Sequence, residues 1–127
     1  ALSQTTRTSS SEGQTTALML AYNQKEWQKA ASLMETLLQR NPDDQAVRLY
    51  HALSLLNLDK AHSAKTELDL VIKNSSDQDF QSAARWYLAL THIKLNEKKE
   101  TIDALKHMIG QDHYQAAYAR ELLEKIK

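Results

Sequence analysis

The chain contains an internal repeat, and this repeat constrains the fold more than any other feature of the sequence. Residues 46–72 align without a gap on residues 83–109 at an offset of 37. Eight positions are identical: Ala46/Ala83, Arg48/Arg85, Tyr50/Tyr87, Ala52/Ala89, Leu53/Leu90, Leu58/Leu95, Leu68/Leu105 and Ile72/Ile109. Residues 12–38 fit the same template at an offset of 34 from the middle segment. Three similar units of this length predict an array of supersecondary units that stack on one another.

Within each unit, apolar residues recur at helical spacing. In the first unit, Trp27, Ala30 and Met34 belong to a stripe that ends before Pro42. Pro42 stops this helix because proline cannot continue the hydrogen-bond ladder, and the aspartates after it offer an N-cap for the next helix. Similar stripes predict seven helices joined by short breaks, with a polar loop over residues 74–79.

Several residues are candidates for helix caps. Asp59 and Asn96 are predicted N-caps, and Gly110 stands where a left-handed residue commonly ends a helix. Two pairs have the spacing of a capping box, Ser11/Gln14 and Asp112/Gln115. The last predicted helix carries an apolar stripe at i+4 spacing that consists of Tyr114, Tyr118, Leu122 and Ile126.

The start of the chain differs from the rest in composition. Residues 1–11 are rich in Ser and Thr and contain almost no apolar side chains. Such a segment cannot bury enough surface to offset the entropy lost on ordering, so it is predicted to be a flexible linker. A tether to an anchor further upstream is the alternative. The helical repeat domain is expected over residues 12–127.

The repeat resembles the tetratricopeptide repeat, or TPR, whose unit is a helix–turn–helix of 34 residues. Small residues fall where paired helices approach closely, at Ala30, Ala52, Ala64 and Ala89, and Pro42 falls at the position that closes a repeat. The second and third units lack this proline, and Thr101 replaces the small residue of the third.

The resemblance implies an all-α, TPR-like α-solenoid of three helix–turn–helix repeats. The repeats would occupy about residues 12–42, 45–75 and 82–110, and a capping helix would occupy residues 112–126. The segment from Ala84 to Leu105, with the Tyr-rich closing helix, is also similar to extracytoplasmic TPR domains of membrane-anchored proteins in Bacteroidetes-type bacteria. This second similarity implies a periplasmic or extracytoplasmic location, with a cytoplasmic location as the alternative.

The TPR resemblance implies that the first helices of the pairs line a concave groove that holds a partner protein. The expected groove residues are mostly apolar: Met19 and Tyr22 in the first unit (with Thr15 nearby), Leu49, Leu53 and Leu56 in the second, and Trp86, Leu90 and Ile93 in the third. Chaperone-binding TPR domains have Lys, Arg and Asn at these positions. Their absence here argues against a co-chaperone role.

Two arginines occupy the same position in successive units and have two interpretations. Arg48 and Arg85, together with Trp86, Tyr87 and Tyr50, are candidate anchors for a partner, because Trp, Tyr and Arg dominate interface hot spots. The alternative is that both arginines lie along the stack and pair with a neighbouring acid.

Composition argues against several other functions. Lys plus Arg and Asp plus Glu both number 16, so the formal net charge is zero, and no nucleic-acid partner is expected. The chain has no cysteine, its five histidines form no HExxH motif, and no GxSxG motif occurs. We therefore expect no metal, no cofactor and no enzymatic activity. No stretch is apolar and long enough for direct membrane insertion.

The leading hypothesis is a non-catalytic scaffold or adaptor module that binds a peptide or helix of a partner protein in an apolar concave groove. The alternative is a structural domain that self-associates as a homodimer and belongs to a membrane-anchored envelope protein. Sedimentation over a range of concentrations distinguishes the two hypotheses.

Overall fold

The computed structural model describes residues 16–126, and within this range the chain forms helices and no strand. The helices are α1 (described over residues 16–23), α2 (Trp27–Arg40), α3 (Gln45–Asn57), α4 (Ala61–Asn74), α5 (Gln78–Lys94), α6 (Lys98–Gly110) and α7 (Ala116–Ile126). The predicted all-α fold is confirmed. The predicted linker over 1–11, the Ser11/Gln14 capping box and Thr15 lie outside the described residues.

The helices stack as successive antiparallel neighbours. From α2 to α7, each helix packs against the next one along the chain, and α3 also contacts α5. No comparable contact joins α2 to α4 or α4 to α6, all of which are described in full. Because neighbours on the inside of a curved stack lie closer together, the first helices α1, α3 and α5 line the concave side. This arrangement confirms the predicted α-solenoid.

Small residues are buried at the helix crossings, as the repeat predicts. Ala30, Ala52, Ala64 and Ala89 are fully buried. Thr101 is also buried, and its hydroxyl donates to the Glu97 carbonyl at 2.8 Å, so the helix itself satisfies the polar group. These positions allow the helix backbones to approach closely, and a larger side chain would force them apart.

Over residues 16–126 the core is a series of three clusters rather than a single centre. Leu18, Ala21, Ala30 and Met34 join α1 to α2. The second cluster joins α3, α4 and α5, and its members are Leu49, Ala52, Leu68, Val71 and Ala84. The third joins α5, α6 and α7, and its members are Trp86, Ala89, Leu105, Met108, Ala119 and Leu123. Each cluster is closed by the helix that follows its pair, as expected of a solenoid.

The predicted N-caps at Asp59 and Asn96 are wrong, because both residues end the preceding helix. Their φ angles are 63° and 59°, in the left-handed region. The amide after Asp59 donates to the Leu55 carbonyl, and the Asp59 amide donates to the Leu56 carbonyl. This is the Schellman pattern, and it recurs at Asn96. The N-caps of α4 and α6 are Lys60 and Glu97, neither of which makes a side-chain cap.

The prediction for Gly110 is also wrong. Gly110 is the last residue of α6 and does not have a positive φ, whereas Asp112 has φ 52° and ends the helix in a Schellman turn. Asp112 therefore does not start a capping box. By contrast, the aspartate predicted to follow Pro42 as an N-cap is confirmed, because the Asp44 carboxylate accepts from the Val47 amide at 3.1 Å.

Two helix boundaries differ from the sequence prediction. The loop predicted over residues 74–79 is reduced to residues 75–77, because the Asp77 carboxylate accepts from the amides of Asp79 and Phe80 and starts α5 early. The last helix starts at Ala116 and buries Ala116, Ala119 and Leu123. Tyr114 and Tyr118, which the i+4 stripe included, are exposed instead.

Candidate functional site

The side of the stack formed by the first helices carries neighbouring aromatic side chains. The rings of Tyr22 in α1 and Tyr50 in α3 meet edge to face, with 5.2 Å between their centroids. The Trp27 ring also meets the Tyr22 ring edge to face, with 5.2 Å between their centroids. Such edge-to-face pairs stabilise a fixed arrangement of the rings.

Two further tyrosines extend this arrangement across the next helices. Burial raises the pKa of the Tyr22 phenol, and the nearby phenols of Tyr87 and Tyr50 raise it further. Burial also raises the pKa of Tyr114, and Tyr87 adds to that effect. Tyr87 in α5 therefore lies within electrostatic range of both. We call Tyr22, Tyr50, Tyr87 and Tyr114 the tyrosine row, which runs from α1 to the turn before α7.

The tyrosine row is accessible from solvent. Tyr50 is 37% exposed and Tyr114 is 62% exposed, while Tyr22 and Tyr87 are half-buried. A phenol offers a flat apolar ring together with a hydroxyl that donates or accepts a hydrogen bond. The row can therefore contact both the apolar side chains and the backbone of a bound chain.

Six of the predicted groove residues keep accessible surface. Met19, Leu53, Leu56 and Leu90 are partly exposed, and Tyr22 belongs to the tyrosine row. Ile93 is exposed and lines a cleft of about 180 Å³ beside the end of α7. These side chains lie on α1, α3 and α5, so an accessible apolar face extends over all three helix pairs.

Two other predicted groove residues are part of the core. Leu49 is 7% exposed and packs in the second cluster, and Trp86 is 9% exposed and packs in the third. The ring of Tyr118 covers the Trp86 ring edge to face, with 5.4 Å between centroids. Leu49 and Trp86 therefore hold the helix pairs together and offer little surface to a partner.

Arg48 makes its contacts within the domain. Its Nη1 atom donates to both carboxylate oxygens of Glu67 at 3.2 Å, and its Nη2 donates to the Pro42 carbonyl at 2.7 Å. Both charged side chains are largely buried, at 14% and 15% exposure. For Arg48, these contacts match the interpretation in which the arginine pairs with a neighbouring acid.

His51 extends the Arg48–Glu67 pair to a third helix. Its Nδ1 lies 3.1 Å from Glu67 and its Nε2 lies 3.3 Å from Glu35 of α2. Burial lowers the pKa of His51, but the hydrogen bonds and charges of Glu67 and Glu35 outweigh burial and leave the pKa raised. Since both ring nitrogens face carboxylates, the imidazolium form satisfies both. These contacts join α2, α3 and α4.

A second ionic contact of this kind joins α4 to the third pair. The Glu97 carboxylate accepts from His92 Nδ1 at 2.7 Å and from Lys65 Nζ at 3.0 Å. These two hydrogen bonds, in that order of importance, lower the pKa of Glu97. The contact between Glu35 and His51 therefore joins the first helix pair to the second, and the contact between Lys65 and Glu97 joins the second to the third.

Arg85 differs from Arg48, although it occupies the same repeat position. Across residues 16–126, no carboxylate or carbonyl pairs with its guanidinium. Arg85 lines a cleft of about 440 Å³ between the first turns of α5 and the end of α6. The predicted pairing with a neighbouring acid is therefore absent at this arginine.

Sequence reasoning missed two features of this surface. Tyr114 and Tyr118 were expected in the apolar stripe of the last helix, and they are exposed. Tyr87 occupies the same repeat position as Tyr50, and this recurrence is the sequence signal that could have predicted the tyrosine row. The Glu35–His51–Glu67 contact had no such signal, because each residue comes from a different helix.

In the described part of the chain, no group of three or more His, Cys, Asp or Glu side chains is placed to hold a metal ion. None of the helices in the same range combines the length and the apolarity that a membrane span requires.

Comparison with known proteins agrees with this geometry. The family model of the tetratricopeptide repeat matches residues 16–44, which include α1 and α2. A solved structure of the TPR2B domain of yeast Sti1, in a complex with pHsp70, matches with a TM-score of 0.73. The match covers 91% of this chain and 94% of that chain, at 18% sequence identity. The chain therefore has the fold of a tetratricopeptide repeat domain, and its first helix pair matches the repeat itself. No curated protein matches its sequence.

In this TPR-like fold, the helix pairs are the structural units that stack through neighbouring contacts. TPR domains are in general interaction modules without catalytic activity. At 18% identity the likeness to the yeast domain extends to the fold and not to the residues of the groove.

Proposed function

We propose that this domain binds an extended segment or a helix of a partner protein along its concave face. The tyrosine row carries this proposal, because its four aromatic side chains come from α1, α3, α5 and the turn before α7 and keep accessible surface. Tyrosine contributes large contact area at low entropic cost, and it is enriched at the energetic centres of interfaces.

The apolar side chains beside the row support the same proposal. Met19, Leu53, Leu56 and Leu90 keep accessible surface on the first helices. A partner with apolar or aromatic residues at regular intervals would bury them here. We do not expect this chain to bind the partner of the yeast domain, because the expected groove positions lack the Lys, Arg and Asn of chaperone-binding TPR domains.

The experiment that tests this proposal selects binding peptides from a displayed library with the purified domain. Tyr50→Ala and Leu53→Ala are each expected to weaken the selected peptides by about tenfold, as for interface hot spots. Thr66→Ala, on the exposed side of α4, is the matched control and should leave affinity unchanged. Equal effects from Thr66→Ala and Tyr50→Ala would contradict binding at the concave face.

The buried residues make poor probes of binding. Substituting Leu49 or Trp86 would open a cavity in the second or third cluster, so a loss of binding would reflect a loss of structure. Each binding variant is therefore to be compared with the unsubstituted domain by thermal denaturation.

Self-association remains the alternative for the same face. A dimer would bury Tyr50 and Tyr114, and its formation would depend on concentration. Sedimentation equilibrium over a wide range of concentrations is expected to give the monomer mass of 14.5 kDa. A rise to twice this mass that Tyr50→Ala abolishes would favour the dimer.

A further inference from the structure

The cleft beside Arg85 has the properties of a small anion-binding site. It has a volume of about 440 Å³ and is lined by Gln78, Gln81, Ser82, Arg85, His107, Met108, Gln111 and His113. None of these residues is acidic, so the positive charge of Arg85 is not neutralised by the cleft itself. The His113 ring of this cleft stacks on Tyr114 at one end of the tyrosine row, with 4.3 Å between their centroids. The inference does not depend on the proposed function.

Some polar groups of the cleft are already satisfied by the fold. The Gln81 amide nitrogen donates to the carbonyls of Ile72 and Ser75. His113 donates from Nε2 to the Ser82 carbonyl at 2.6 Å and accepts at Nδ1 from the Gln115 amide. The contacts of His113 hold the turn before α7 against α5.

Other polar groups of the cleft remain available. Within the described residues, the side chains of Arg85, His107, Gln78 and Gln111 make no hydrogen bond to another part of the chain. An arginine guanidinium presents several donors in a planar fork, which matches the two oxygens of a carboxylate. The amides and the imidazole add donors around it.

The preceding repeat shows which group an arginine binds at this position. Arg48 contacts both oxygens of the Glu67 carboxylate at 3.2 Å. At the offset of 37, Glu67 corresponds to Ala104, so the third repeat keeps the arginine and lacks the acid. At the same offset Leu70 is replaced by His107, which places a polar group at the cleft.

We propose that the cleft formed by Arg85, His107, Gln78 and Gln111 binds a carboxylate from outside the domain, in place of the internal acid of the preceding repeat. The bound carboxylate belongs either to an acidic side chain of a peptide or to a free carboxylic acid. Arg85 holds its two oxygens, and the neighbouring amides donate to the same group.

The test follows the Arg85 Nε–H signal and the His107 ring signals by NMR during titration with sodium acetate. Sodium chloride at equal ionic strength is the control. Two blocked tripeptides, acetyl-Gly-Glu-Gly-amide and acetyl-Gly-Gln-Gly-amide, distinguish a peptide acid from a small acid. Acetate and the glutamate peptide are expected to give saturable shifts, and chloride and the glutamine peptide are not. Tighter binding of the glutamate peptide than of acetate assigns the site to acidic peptides, and the reverse assigns it to small acids.

Two variants make this test specific. Arg85→Gln is expected to weaken binding by about tenfold or more, whereas Arg120→Gln in the exposed part of α7 should have no effect. Ala104→Glu restores the internal acid and should abolish the acetate-dependent shifts while raising the thermal stability. Tyr50→Ala should leave acetate binding unchanged, which separates this site from the concave face. Shifts that chloride reproduces, or that survive in Arg85→Gln at unchanged affinity, would overturn the proposal.

Discussion

Among residues 16–126, four residues other than glycine have the left-handed conformation, and all four end a helix. They are Lys25, Asp59, Asn96 and Asp112. Asn and Asp tolerate this conformation because their short polar side chains bond locally, but a lysine there is under strain. Lys25, Asp59 and Asn96 are separated by 34 and then 37 residues, which are the offsets of the repeat. The left-handed turn is therefore itself a repeated element.

Lys25→Gly is expected to stabilise the domain by about 1 kcal/mol, because glycine adopts φ 62° without a steric penalty. Lys29→Gly, at an exposed position within α2, is the matched control and should destabilise by about 1 kcal/mol. Urea denaturation of both variants measures the difference. If both variants lose the same stability, the left-handed strain at Lys25 is absent.

At the scale of the helices, the third and fourth are joined by a largely buried ion pair. Arg48→Met is expected to lower the free energy of unfolding by about 2 kcal/mol, because the largely buried Glu67 carboxylate loses one of its two cationic partners and keeps only His51. Arg85→Met, at the equivalent position, should lower it by less than about 0.5 kcal/mol. Chemical denaturation of both variants tests this asymmetry, and equal losses would contradict it.

The contact among α2, α3 and α4 makes stability depend on pH. The pKa of His51 is raised above 6.5, so its contribution is fully present below pH 6.5 and is lost as the pH rises through the folded value. Burial raises the pKa of Glu67, but the hydrogen bond from His51 and the charge of Arg48 outweigh it and lower the pKa below 4.5. The Glu67 contribution is therefore lost as the pH falls through that lowered value. The network stabilises most between pH 4.5 and pH 6.5.

Glu35→Gln tests this network because it removes one of the two acids that face His51. The pKa of His51 is expected to fall, since Nε2 loses its charged acceptor. An NMR titration of the His51 ring measures the shift, with Glu121→Gln in α7 as the control. An unchanged pKa of His51 in Glu35→Gln would show that Glu35 does not contribute.

At the scale of the whole molecule, the core consists of separate clusters. We therefore expect substitutions in different clusters to change the free energy of unfolding independently. Leu18 belongs to the first cluster and Leu105 to the third. Leu18→Val and Leu105→Val are each expected to destabilise by about 1 kcal/mol, and the double variant should show the sum within about 0.5 kcal/mol. Urea denaturation measures all three. A coupling of more than 1 kcal/mol would mean that the two clusters share one core.

Sequence reasoning identified the helices well because their spacing is repeated. Ala30, Ala52, Ala64 and Ala89 lie at the crossings where the repeat placed them. Sequence reasoning failed at helix ends such as Asp59, because one polar residue can either start a helix or end the previous one. Only the backbone torsion distinguishes these two roles.

The sequence alone determined that helix pairs stack in a repeated array, because the period and the small residues leave few other ways to bury the apolar stripes. The tertiary structure alone decided which large side chains remain accessible. A shift of one residue turns a side chain by about 100° around a helix, so adjacent Leu49 and Tyr50 differ in burial. Arg48 and Arg85 also differ because the acid that binds the first comes from another helix.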